Sequence, residues 1–196
     1  MAETGVAVAI VVDNTDDSGS GRIRVRYPWQ SQPAETYWAR VATPMAGANR
    51  GCYFMPEKGD EVLVAFERGD LRSPYVIGSL WNAEAPPPAT NKDGRNDLRL
   101  IRTRKGHLLK FDDGAKSSVR LELNDGKHLA IDDNAITLED RNGNGITIQS
   151  ATGALTIRSS GQLTLKASQI SIESSGTIAV KATATLTLQG SLVNIN

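Results

Sequence analysis

Aliphatic residues follow two patterns along the 196-residue chain, and the change falls near Ala85. In the first half, Gly5–Val12 is a short apolar run, and the turn-rich stretch Asp13–Gly21 follows it. Arg22–Tyr27 (RIRVRY) then alternates strictly, so Ile23 and Val25 face a core while Arg22, Arg24 and Arg26 face out. Tyr37–Ala42, Asp60–Glu67 and Ser73–Trp81 supply three further strands, with Gly-Asp turns at Gly59–Asp60 and Gly69–Asp70. Pro44–Met55 has room for a short turn, and no long segment has helical periodicity.

In the second half, aliphatic doublets separated by one residue recur. They are Leu121/Leu123, Leu129/Ile131, Ile136/Leu138, Ile146/Ile148, Leu155/Ile157, Leu163/Leu165, Ile170/Ile172, Ile178/Val180, Leu186/Leu188 and Val193/Ile195. From Ile146 onward the steps between them are 9, 8, 7, 8, 8 and 7 residues. Each unit reads as one short strand and one tight turn. Gly153, Gly161, Gly176 and Gly190 sit between doublets, where a backbone reversal favours permissive φ.

The fold class that follows is all-β. Five strands within residues 1–85 match a small closed barrel of the oligonucleotide/oligosaccharide-binding (OB) type. Pro86–Pro88 and the polar stretch to Asp97 form a stiff linker over residues 86–97, and the repetitive domain occupies residues 98–196. One thin strand per unit buries too little apolar surface to offset a backbone ordering cost of roughly 1–2 kcal/mol per residue. A homotrimer removes the difficulty: three chains intertwine into a triple-stranded β-helix, or β-prism, with the doublets on a shared axis and each strand paired to a neighbouring chain. A narrow axis excludes aromatics, and none occurs after Phe111. The expected axis residues are Leu155, Ile157, Leu163, Leu165, Ile170, Ile172, Ile178, Val180, Leu186 and Leu188, with Leu192, Val193, Ile195 and Asn196 at the tip. At about 4.8 Å per unit, ten to twelve units make a prism roughly 50–60 Å long.

Composition excludes several function classes. Lys+Arg and Asp+Glu are both 22, so the formal charge is zero and nothing calls for a polyanionic partner. Arg22, Arg24 and Arg26 beside Trp29, Tyr37 and Trp38 resemble a basic stacking platform, but with this charge balance they read as barrel packing or solvated surface, and no nucleic acid is expected. The one cysteine, Cys52, makes no intrachain disulfide and reads as a small buried apolar residue. The run Gly5–Val12 lacks a basic leader and is far shorter than the roughly 20 residues that span a bilayer. It reads as a buried strand of a protein made in the cytoplasm.

Asp140, Asn142, Asn144 and Gly145 match the start of an EF-hand loop, but Ala151 stands where its closing Glu belongs, so a turn is expected. Asp112/Asp113 and Asp132/Asp133 follow strand ends and read as solvated turns instead of catalytic pairs. No nucleophile or metal-protease motif is present in the sequence. The chain is therefore expected to have no catalytic, cofactor-binding or metal residues.

GRIRVRYPW (Gly21–Trp29), the block Tyr37–Asp70 with GCYFMPEKGDEVLVAF, and SPYVIGSLWNAEAPPP (Ser73–Pro88) resemble the OB region of phage baseplate assembly protein V and VgrG spike proteins. The resemblance implies a trimeric central spike of a contractile injection machine, such as a phage tail, tailocin or related secretion system, assembled into its baseplate. The OB domain would join a hub and the β-prism would pierce the target envelope. Because the chain starts almost at the first barrel strand, a separate hub protein and the phage or tailocin type are expected. A PAAR-repeat protein at the C-terminus is a possible cap. The His-x-His that encloses iron in some spikes has no counterpart, since His107 and His128 lie 21 residues apart. Residues 82–97 leave no room for a lysozyme domain between barrel and prism. Two rivals stand beside this reading: a monomeric solenoid that binds or cleaves carbohydrate, and a piece of a longer type VI spike.

Overall fold

The structure, a computed structural model, describes residues 5–30 and 35–195. It divides into two compact units, Met1–Leu98 and Arg99–Asn196.

The first unit is built from β1 (Val6–Asp13), β2 (Arg22–Arg26), β3 (Tyr37–Val41), the two-residue strands β4 (Ala46–Gly47) and β5 (Arg50–Gly51), β6 (Glu61–Phe66) and β7 (Pro74–Leu80). Five of these close into a barrel in the order β1-β2-β3-β7-β6, in which only β3 and β7 run parallel. Alternation decides what enters it. Ile23 and Val25 are fully buried between the outward Arg22, Arg24 and Arg26, as their spacing predicts. Ala9, Val11, Val62, Val64 and Val76 complete the apolar interior, whose small, mostly β-branched side chains suit a narrow barrel. The run Gly5–Val12 departs from expectation: β1 buries one face only, and Val6 and Val8 are exposed on the other.

Tyr27 plugs the interior. Its ring stacks on Tyr37 with centroids 5.0 Å apart and meets Phe66 edge-on at 5.7 Å, while its hydroxyl donates to the Leu71 carbonyl at 2.8 Å. Burial holds this phenol well above its ordinary range. Cys52 is only partly buried, because it follows the exposed β4–β5 hairpin.

The turn between β1 and β2 is organised by Asp16. Its carboxylate accepts from the Ser18, Ser20 and Arg22 amides, each at 3.1 Å, and pairs with the Arg22 guanidinium at 3.0 Å. The Arg22 side chain foremost, then Ser18, holds the Asp16 carboxyl far below the ordinary 3.8.

The second unit contains β8 (Leu98–Arg102), β9 (Leu108–Asp112), β10 (Ser118–Glu122), β11 (His128–Asp132), β12 (Ala135–Glu139), β13 (Gly145–Gln149) and β14 (Leu155–Arg158). They form one seven-stranded sheet in chain order, and from β9 to β14 every ladder is antiparallel. These strands pair within their own chain, which corrects the expectation that each would pair with a neighbouring chain. The reversals explain it. Asp112, Asp125, Asp132 and Asp140 each accept from the amide two residues on, those of Gly114, Lys127, Asn134 and Asn142, and so turn the chain back on itself. Gly126 and Gly143 supply a left-handed φ in the Asp125 and Asp140 turns, as Gly106 does in the reversal between β8 and β9.

Past Arg158 the described chain is extended and bent without any strand, whereas a strand was expected at every doublet to Val193/Ile195. A strand needs a ladder partner, and this segment has none in its own chain. Gly153 has the expected positive φ, but Gly161, Gly176 and Gly190 do not, because no hairpin reversal occurs at them.

Two outcomes follow for the barrel. Ile23→Ala should cost about 2–5 kcal/mol, read as a shift of the denaturant midpoint by tryptophan fluorescence. Because the folded Asp16 value lies below the unfolded one, its stabilisation is complete above about pH 3.8 and is lost as pH falls through the folded value. Asp16→Asn should therefore lower the midpoint at pH 7 and reduce its decline between pH 4 and 2; an unchanged acid profile would remove Asp16 as a cause.

Candidate functional site

The second sheet is amphipathic, but its apolar face is the uncovered one. Register places two columns on that face. One runs Leu109, Leu121, Leu129, Leu138, Ile146 and Ile157; the other runs Phe111, Val119, Ile131, Ile136, Ile148 and Leu155. All except the half-buried Leu109 are exposed; Leu138 is 50% and Leu155 62% accessible. Cross-strand neighbours therefore touch along the sheet, yet one side of every pair faces water. An open trough of about 580 Å³ runs along this face, floored by Leu121, Leu129, Leu138, Ile146 and Ile157.

Scattered exposed aliphatics need no explanation, but a contiguous face of them marks an interaction surface. Moving each side chain from half-exposed to buried contributes roughly 1 kcal/mol, about half of the value for full burial. No element of the same sheet lies over the face to collect that gain, and the sheet is one layer thick.

The opposite face is polar and closes on itself. Its central column runs Lys110, Arg120, Ala130, Thr137, Thr147 and Thr156. Charges there are paired along the strand or across it: Lys110 with Asp112 at 3.2 Å, Arg120 with Glu122, and Arg158 with Glu139 at 3.5 Å. Such exposed pairs add little stability, but they leave few unpaired charges to recruit a partner. The Gly114 amide foremost, then the Lys110 side chain, holds the Asp112 carboxyl below its ordinary value. His128 sits between Glu122 and Glu139 in register, its Nδ1 3.0 Å from the Gly126 carbonyl.

The Asp140 loop is a turn. Its carboxylate accepts from the Asn142 and Asn144 amides and the Asn144 side chain at 2.8, 3.1 and 2.6 Å. Among the described residues, no group of three or more His, Cys, Asp or Glu is placed to hold a metal ion.

Of the expected axis residues, the structure brings Leu155 and Ile157 onto the aliphatic face of β14. Leu163, Leu165, Ile170, Ile172, Ile178, Val180, Leu186 and Leu188 lie in the segment beyond it and are all exposed, as are Leu192, Val193 and Ile195. Asn196 lies outside the described residues. Sequence reasoning missed the early part of the ladder: Leu109/Phe111 and Val119/Leu121 are paired doublets of β9 and β10, whereas Leu123 lies just past β10. The alternations Leu-Lys-Phe at 109–111 and Val-Arg-Leu at 119–121 carried that signal.

The two units thus define a closed β-barrel followed by a sheet with a bare aliphatic face. Residues 7–81 match the family of the type VI secretion system/phage-baseplate injector OB domain. Type VI secretion system spike protein VgrG1a of Pseudomonas aeruginosa is 38% identical over 72 residues, covering 35% of this chain and 11% of that protein. VgrG3 of Vibrio cholerae is 32% identical over 105 residues, 50% of this chain and 10% of that protein, and VgrG4b of Pseudomonas aeruginosa is 35% identical over 106 residues, 44% and 13%. The matches therefore span about a tenth of the length of these relatives. The VgrG-like, baseplate-spike resemblance read from the motifs is borne out by these matches. Among the described residues no helix is long and apolar enough to cross a membrane.

Proposed function

We propose that three copies of this chain assemble into the central spike of a contractile injection machine, a phage tail, tailocin or type VI system, within its baseplate. The observation that carries the reading is the uninterrupted two-column aliphatic face, eleven of whose twelve side chains are exposed in the single chain. Three such faces turned inward form a dry axis and leave three self-neutralised polar faces outside. A threefold arrangement suits a surface that repeats along a line, since every layer meets its own equivalents and closes without a free edge.

The role is mechanical, with no catalytic step. A rod crossed at every layer by backbone hydrogen bonds resists bending, because a bend must break several of them together at roughly 0.5–1.5 kcal/mol each. The OB domain attaches the rod to a hub component of the baseplate, and the tail segment leads through the target envelope. Exposed Leu192, Val193 and Ile195 offer apolar surface to a cap protein such as a PAAR-repeat protein. A carbohydrate-binding solenoid finds less support, since the aliphatic face carries one aromatic, Phe111, where sugar recognition relies on stacking.

Light scattering should give three times the 21.0 kDa mass of one chain. A single species with the mass of one chain would sink the proposal. Ile172→Asp would place three carboxylates on one axis and should reduce the assembled fraction at least tenfold at neutral pH; an undiminished trimer would remove Ile172 from the axis.

A further inference from the structure

We infer that Asn142 is a deamidation site: within the tandem Asn-Gly-Asn-Gly of residues 142–145, the turn between β12 and β13 opens one asparagine to attack by its own backbone and locks the other. The inference is independent of the trimer proposed above, since each chain builds this turn for itself.

Asparagine followed by glycine is the dipeptide most prone to this reaction, because the glycine nitrogen has no side chain beside it to hinder its approach to the asparagine Cγ. The chain contains two such dipeptides, Asn142–Gly143 and Asn144–Gly145, side by side in the same turn. Local sequence gives them similar reactivity, and the fold separates them.

At the first, both reacting groups are open. Asn142 and Gly143 are exposed. Among the described residues the Asn142 side chain makes no hydrogen bond, and the Gly143 amide donates to no acceptor. Only the main-chain amide of Asn142 is held, by the Asp140 carboxylate at 2.8 Å. At the second, the reacting groups are tied down. Asn144 Nδ2, the leaving nitrogen, donates to Asp140 at 2.6 Å, and Asn144 Oδ1 accepts from the Ser160 amide and hydroxyl at 2.7 and 3.1 Å. Gly145, whose nitrogen would attack, is fixed in β13 opposite Glu139 and Arg158. Cyclisation at Asn144 must first break these tethers, so it proceeds only through local opening of the turn.

The step balances without oxidant or reductant. Hydroxide takes the Gly143 amide proton, and the nitrogen then attacks Cγ of Asn142. The N–Cγ bond forms as the Cγ–Nδ2 bond breaks, and Nδ2 takes a proton from water and leaves as ammonia. Water opens the cyclic imide at one of its two carbonyls. Attack at Cγ yields aspartate; attack at the main-chain carbonyl yields isoaspartate, whose backbone runs through Cβ and Cγ. In both cases one ammonia is lost, one water is gained, and a neutral residue becomes a carboxylate. The new charge stands two residues from Asp140, whose own carboxyl is held below its ordinary value by the Asn144 side chain foremost and then by the Asn142 amide. Repulsion between the two carboxylates opposes the contacts that make the reversal, so conversion loosens the β12–β13 turn.

Peptide mapping by mass spectrometry tests this on the full chain, incubated folded at mildly alkaline pH. Deamidation at Asn142 should run at least about tenfold ahead of Asn144, because hydrogen bonds guard only the second site. Its products should include isoaspartate as well as aspartate, the mark of the imide. In denaturant the two rates should converge, since the tethers on Asn144 are then gone. Asn142→Gln, whose longer side chain closes a ring less readily, should remove the fast-forming acidic variant from isoelectric focusing of the folded chain. Equal rates in the folded chain, faster loss at Asn144, or an Asn142 that reacts only in denaturant would overturn the inference. So would a preference for Asn142 that persists undiminished in denaturant, because local sequence and not the fold would then be its cause.

Discussion

A β-strand is stable only when its backbone groups have partners and its apolar side chains leave water, and the two requirements need not be met by the same chain. In the first unit they are: the barrel closes on itself, and Ile23, Val25, Val62 and Val64 are fully enclosed. In the sheet from Leu98 to Arg158 the backbone is satisfied but the aliphatic face is not. Beyond Arg158 neither is satisfied within the chain. Self-sufficiency thus declines along the sequence.

That gradient accounts for the composition of each part. The barrel uses aromatics because a closed interior has room for a stacked plug such as Tyr27 on Tyr37. The sheet carries one aromatic, Phe111, and the tail has none. Charges on the sheet are paired within a strand or across one ladder, as in Lys110–Asp112 and Arg158–Glu139, so its polar face is wetted without recruiting partners. The tail dispenses even with these and keeps Lys166, Glu173 and Lys181 as its charges after Ser159.

Much of this was legible from periodicity. Strict alternation at Arg22–Tyr27 identified which residues enter the barrel, because a strand has only two faces. The doublets identified the aliphatic face correctly at Leu129/Ile131, Ile136/Leu138 and Ile146/Ile148. The β1 run misled, since an unbroken apolar stretch does not say whether one face or both are covered; Val6 and Val8 are exposed. Equal-looking glycines also misled. Gly153 turns the chain and Gly161 does not, a difference decided by whether the following strand folds back.

By itself, the sequence determined the strands of the barrel, the resemblance of that region to injector OB domains and the identity of the aliphatic face residues, because side-chain chemistry and spacing are local properties. Which backbone pairs with which was decided only in the tertiary structure. Val119 faces Phe111 on one side and Ile131 on the other because Asp-centred turns bring those strands together. Hydrogen bonding between strands is indifferent to side-chain identity, so no periodicity records whether a partner strand comes from the same chain.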